Sequence, residues 1–141
     1  EGTPLTALFP CKPDQGSRQV PMGEREITMT MLACDAGRAT FTLAFVDASA
    51  SGGALLDQWK VATLAAIKAQ TVSERPFTLK GASTLPQPVR ILAHGRRPDG
   101  SKVSAQAVWF SAGAQVFQAV VYAESVPSAE ADTFFASLNL P

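Results

Sequence analysis

The alternation of apolar and polar positions is clearest between Ile27 and Val46. Ile27, Met29, Met31 and Ala33 fall on one side of an extended segment and Thr28, Thr30, Leu32 and Cys34 on the other, the period-two pattern of a strand. The turn Asp35-Ala36-Gly37-Arg38 returns the chain into Ala39 to Val46, where Phe41, Leu43 and Phe45 interleave with Thr40, Thr42 and Ala44. Together these segments predict a β-hairpin. Upstream, Leu8-Phe9-Pro10-Cys11-Lys12-Pro13 reads as a short edge element leading into a loop, because proline cannot donate to a central ladder. Arg18 to Met22 reads as a short strand.

Ser49-Ala50-Ser51-Gly52-Gly53 breaks the alternation and offers serines to cap a helix. From Ala54 to about Val72 the period becomes helical, with Leu56, Trp59, Thr63, Ile67 and Gln70 near one stripe and alanines that would permit close packing on a sheet. Phe77 to Gly81 is a short strand candidate, and the passage through Pro86 and Pro88 is expected to wrap the surface. Val89 to Ala93 resumes a strand, Pro98-Asp99-Gly100 turns the chain, and Lys102 to Phe110 pairs back. Gln115 to Ala123 is apolar on both faces, which predicts a central strand. A final helix starts near Pro127 and repeats Ala131, Phe134, Phe135 and Leu138 at helical spacing. The expected fold is α+β: an antiparallel sheet of about six to seven strands in two meanders, each meander followed by a helix.

Composition narrows the class. The 141 residues suit one domain spanning the whole chain, 1–141. With 46% hydrophobic and 17% charged residues the chain lies outside the disordered range. Twelve basic and twelve acidic residues leave no net charge, so neither nucleic acid nor anionic lipid is an expected partner. The charge-free run from Val103 to Ala123 is interrupted by Ser104, Gln106, Ser111, Gly113, Gln115 and Gln118, so it predicts two strands and no transmembrane segment. Glu1-Gly2-Thr3-Pro4 reads as a processed end, and a signal peptide or lipid anchor before Glu1 fits that reading.

Cys11 and Cys34 stand 23 positions apart. That is neither a CxxC pair nor zinc spacing. Two expected strands can bring their backbones within bonding range, so one disulfide is the simplest account, and an oxidising compartment follows from it. Two independent buried thiols are the alternative.

The search for catalytic chemistry returns little. His94 is the lone histidine; no metal-ligand spacing surrounds it, and no metal or cofactor is expected. A Ser-His-Asp triad would need His94, Asp99 and one of several serines, without a GxSxG elbow. Gly52-Gly53 lacks the phosphate-cradling pattern. Glu24 and Glu26 could pair on one strand face, although a hairpin edge explains them as well. Trp59, Trp109, Phe110, Phe117 and Tyr122 could line an apolar pocket, or form core. Arg90, Arg96, Arg97 and Lys102 set four cations against Asp99 on one expected hairpin. They could contact an acidic partner or an anion, or serve as a solvated rim that guards a sheet edge.

The opening Leu8-Phe9-Pro10-Cys11-Lys12-Pro13, the strand Met31-Leu32-Ala33-Cys34, the Asp99-Gly100 hairpin and the ending Phe134-Phe135-Ala136-Ser137-Leu138 resemble the PsbP-like group of small α/β proteins. Within it the chain looks most like uncharacterised bacterial envelope proteins that open with an FPxKP-type element. The resemblance implies an α/β/α sandwich with helices on both faces of the sheet, and a periplasmic or secreted setting. It transfers no catalytic residue, and relatives in that group act as accessory subunits, GTPase-binding partners or adaptors. The leading expectation is a non-enzymatic exported module that binds another protein. A carrier of a small apolar or anionic ligand is the alternative, and an enzyme comes third.

Overall fold

The computed structural model describes residues 7, 9–22, 25–47, 52–79, 88–112, 115–125 and 128–138. Seven strands form one antiparallel sheet: β1 (Asp14–Met22), β2 (Arg25–Ala36), β3 (Ala39–Asp47), β4 (Thr71–Pro76), β5 (Val89–Arg96), β6 (Lys102–Ala112) and β7 (Gln115–Ala123). Helix α1 (Gly52–Ala66) follows the first three strands, and α2 (Ser128–Ala136) follows the last four. The spatial order is β1-β2-β3-β7-β6-β5-β4. Two meanders therefore join where β3 meets β7, with Phe45 opposite Phe117 and Phe41 opposite Val121.

Alternation along the central strands sorts the core into two layers. On one face Phe41, Leu43, Phe45, Val108, Phe110, Phe117 and Val121 pack with Ala131, Phe134, Phe135 and Leu138 from the α2 segment. On the other, Ala44, Val46, Ile91, Ala107, Trp109, Val116 and Val120 pack with Trp59 of α1 and with Ile67 just past its end. The helices thus cover opposite faces. The Phe110 and Phe117 rings stack 5.0 Å apart, and Phe134 meets Phe41 edge-on at 5.5 Å. Each fully buried phenylalanine contributes roughly 1.5–3 kcal/mol from the area it removes from water.

The central strands β3 and β7 hold the expected positions, and β7 has the expected bounds. β2 and β5 run past their expected ends, through Ala36 and Arg96, and the larger differences lie at the edges. The first strand runs from Asp14, upstream of the expected Arg18, because Asp14-Gln15-Gly16-Ser17 is held by backbone pairing to Thr30–Ala33 of β2 and needs no apolar alternation. The Leu8–Pro13 stretch forms no strand among its described residues; instead Phe9 lies 5.2 Å from the Phe134 ring. The expected strand at Phe77–Gly81 is displaced to Thr71–Pro76, which pairs with β5, while Phe77–Leu79 carries no regular structure and Lys80 and Gly81 lie outside the described residues. Pro88, expected at the surface, is buried, and its carbonyl accepts from the Phe77 amide at 3.3 Å. Ser49, Ser51, Pro86 and Pro127 also lie outside the described residues.

Helix α1 stops at Ala66, short of the expected Val72, for a local reason. The Ala69 amide bonds the Leu64 carbonyl and the Lys68 amide bonds the Ala65 carbonyl, both at 3.0 Å. These are the two bonds of a Schellman ending. Lys68 takes the left-handed position with φ of 50°. Ile67 is left with a free carbonyl that accepts from the Arg96 amide at 2.6 Å, and the Gln70 amide bonds the His94 carbonyl at 2.8 Å. The helix end therefore runs directly into the β4 edge. Trp59, Thr63 and Ile67 face the sheet as expected, but Ala62, Ala65, Ala66 and Gln70 are exposed. The aromatic and branched side chains make the close approach, and the alanines form the outer face.

Candidate functional site

The turn Arg97-Pro98-Asp99-Gly100 joins β5 to β6. Gly100 adopts φ of +89°, a conformation that favours glycine, and its amide bonds the Arg97 carbonyl at 2.9 Å. The Asp99 carboxylate accepts from the Ser101 hydroxyl at 2.6 Å and from the Ser101 amide at 2.9 Å. These bonds, the hydroxyl first, hold its pKa below the ordinary aspartate value.

The register of this hairpin sets Arg96 opposite Lys102 and His94 opposite Ser104. Opposed residues in an antiparallel pair point to the same face, so the four side chains share one side of the sheet. His94 Nδ1 lies 2.8 Å from Ser104 Oγ, and Ser104 donates to the Glu124 carbonyl at 3.2 Å. With the hydroxyl proton spent on that carbonyl, Nδ1 is the donor to Ser104. Arg96 Nη1 donates to the Gly100 carbonyl at 3.0 Å, which ties its guanidinium to the turn. Arg96, Lys102, His94, Ser104, Gln70 and Glu124 line an open recess of about 390 Å³ at this end of the sheet.

Arg90 is not part of that recess. It lies on the same face about 20 Å along the strand from Arg96 at roughly 3.3 Å per residue. Its Nε donates to Gln106 Oε1 at 3.0 Å, and its Nη2 bonds both Gln106 and Asp132, the latter at 2.7 Å. The guanidinium sits 4.6 Å over the Phe135 ring. Arg90 therefore anchors α2 to the sheet. The expected group of four is divided: Arg96 and Lys102 face each other at the recess, Arg97 belongs to the turn, and Arg90 is committed to an ion pair.

The other expected groupings also separate. Asp99 is engaged by Ser101, whereas His94 Nδ1 faces Ser104, so a His94–Asp99 relay is not assembled. The five aromatics fall on two faces: Trp59, Trp109 and Tyr122 with one cluster, Phe110 and Phe117 with the other, so they cannot line a common pocket. Trp109 Nε1 and the Thr63 hydroxyl both donate to the buried Gln118 Oε1, at 2.6 and 2.7 Å. Burial pushes the Tyr122 phenol up from its usual pKa. Glu26 is exposed, and Glu24 lies outside the described residues. Among the described residues, no group of three or more His, Cys, Asp or Glu is placed to hold a metal ion.

Cys11 and Cys34 form the expected disulfide, with Cα atoms 5.9 Å apart. It fastens the segment before β1 to the end of β2. An intramolecular disulfide is compatible with an exported protein. No helix among the described residues is long and apolar enough to cross a membrane.

The pairing of His94 with Ser104 was accessible to sequence reasoning, since the Pro98-Asp99-Gly100 turn sets the register that opposes them. The contribution of Glu124 carried no such signal, because its carbonyl arrives from the end of β7. No protein-family model and no curated protein matches this sequence.

Proposed function

We propose that the protein is a non-enzymatic, exported accessory module of the bacterial cell envelope, with a PsbP-like α/β/α arrangement, that binds an acidic segment of another protein. The observation that carries this reading is the opposed Arg96–Lys102 pair on a recess that His94 and Ser104 also line. Arg96 is pre-oriented by its bond to Gly100, and a fixed guanidinium loses less freedom on gripping a carboxylate. Lys102 adds a second exposed charge opposite it. The disulfide supports a periplasmic or secreted setting. The test is quantitative capture of envelope proteins on immobilised protein carrying Arg96→Glu and Lys102→Glu. Loss of a captured protein supports the reading, and unchanged capture of every partner removes the rim from it.

The recess also lies within the size range of small-molecule sites, which favours a carrier of a small anionic ligand as the second reading. Native mass spectrometry of the purified protein separates the two. A retained small mass that disappears in the double charge reversal supports a carrier, and bare protein supports a protein-binding rim.

A further inference from the structure

We propose that a second copy of this chain docks on the free edge of β1, continuing the sheet through antiparallel pairing centred on Gly16. β1 ends the strand order, so among the described residues one row of its N–H and C=O groups has no partner strand. Such a row is a template for another strand, and its own copy is always present at equal concentration.

The charges of β1 select the register. Its two charged side chains, Asp14 and Arg18, lie on one face, opposite Ala33 and Met29 of β2. Both are exposed, and among the described residues neither makes an ion pair. In a twofold antiparallel pair centred on Gly16, Asp14 of each copy stands opposite Arg18 of the other. Centring on Asp14 or on Arg18 instead opposes like charges, which is destabilising in a directly facing pair. At the centre Gly16 faces Gly16, so no side chains oppose each other on the twofold axis. Pro21, which lacks an N–H, lies outside the 14–18 stretch that pairs. On the other face, Ser17 and Gln19 are already bonded to Thr30 and Thr28 at 3.1 and 3.0 Å.

The same face carries an open groove of about 430 Å³ floored by Met29, Met31 and Ala33 and flanked by Asp14 and Arg18. A twofold axis perpendicular to the sheet keeps both copies on one face, so the two grooves adjoin with the Asp14–Arg18 pairs between their apolar floors. The opposite edge is less suited to this pairing. β4 is shorter, ends at Pro76, and its Glu74 is held by Lys60 at 3.4 Å. With no net charge on the chain, long-range repulsion does not oppose association.

The experiment is sedimentation equilibrium of the full chain across a wide concentration range, with circular dichroism to verify folding of each variant. The wild type is expected to dimerise. Asp14→Arg and Arg18→Asp should each raise the dissociation constant roughly tenfold, because each turns two attractive pairs into two repulsive ones. The double variant D14R/R18D should return to the wild-type value, since the swapped charges again face opposites. A wild type that stays monomeric, or a double variant no better than the singles, overturns the proposal. Independently, oxidised Gly16→Cys should give a cross-linked dimer on non-reducing gels while Ser73→Cys on β4 should not. Absence of the Gly16→Cys cross-link overturns the register.

Discussion

Gly95 lies directly against the Ile67 carbonyl, so that a β-carbon added at Gly95 would overlap the oxygen. The same carbonyl accepts the Arg96 amide at 2.6 Å. The contact joins the end of α1 to β5 with no side chain between them. Gly95→Ala should therefore force the two backbones apart and destabilise the fold by about 1–3 kcal/mol, the usual cost of overpacking. Chemical denaturation should show a lower midpoint with an unchanged slope.

Lys68, one residue past Ile67, holds a left-handed conformation that costs a non-glycine residue roughly 1–2 kcal/mol. Lys68→Gly relieves that strain, and the greater freedom of glycine in the unfolded chain offsets part of the gain. A net stabilisation of about 1 kcal/mol is expected, read as a rise in thermal midpoint. A fall would mean that the lysine side chain contributes more than the conformation costs.

Arg90 and Asp132 form an ion pair of unequal partners, with side chains 18% and 67% exposed. Asp132→Ala removes only the solvated end and should cost about 0–1 kcal/mol. Arg90→Ala also strips Gln106 of its donor and uncovers the Phe135 ring, so a loss of about 1–3 kcal/mol is expected. Parallel denaturation of the two variants checks the order.

Joining positions 23 apart in sequence, the Cys11–Cys34 bond should contribute about 3 kcal/mol in the chain-entropy account. The unreduced protein should weigh two hydrogens less than the reduced one and resist alkylation. The Cys11→Ala/Cys34→Ala variant should unfold at a correspondingly lower temperature.

Asp99 titrates below the ordinary aspartate range because Ser101 donates to its charged form through both hydroxyl and amide. A carboxyl whose folded pKa is depressed stabilises the fold above its unfolded pKa and loses that contribution as pH falls through the folded value. An NMR titration should give a low midpoint for Asp99, and Ser101→Ala should move it upward. Because Asp99 is fully exposed, the readout is the midpoint itself.

The amino-acid order by itself determined the central hairpins and the two helices, since these depend on neighbours a few residues away. Phe41, Leu43 and Phe45 must share a face whatever they pack against, and a strand apolar on both faces such as Val116–Ala123 must be covered on both. The pairing of the two cysteines followed from the same local reading. The first half of β1 and the whole of β4 were not legible, because Asp14–Ser17 and Thr71–Pro76 are polar and are held by backbone bonds to β2 and β5, which any side-chain pattern can make. The fate of the four cations was likewise settled only in three dimensions. Sequence proximity groups Arg90 with Arg96, Arg97 and Lys102, but docking of α2 brings Asp132 and Phe135 to Arg90, and strand pitch carries it away from the rim. Local periodicity records which side of an element is buried; contacts between groups distant in the chain depend on how those elements pack, and no short-range pattern encodes them.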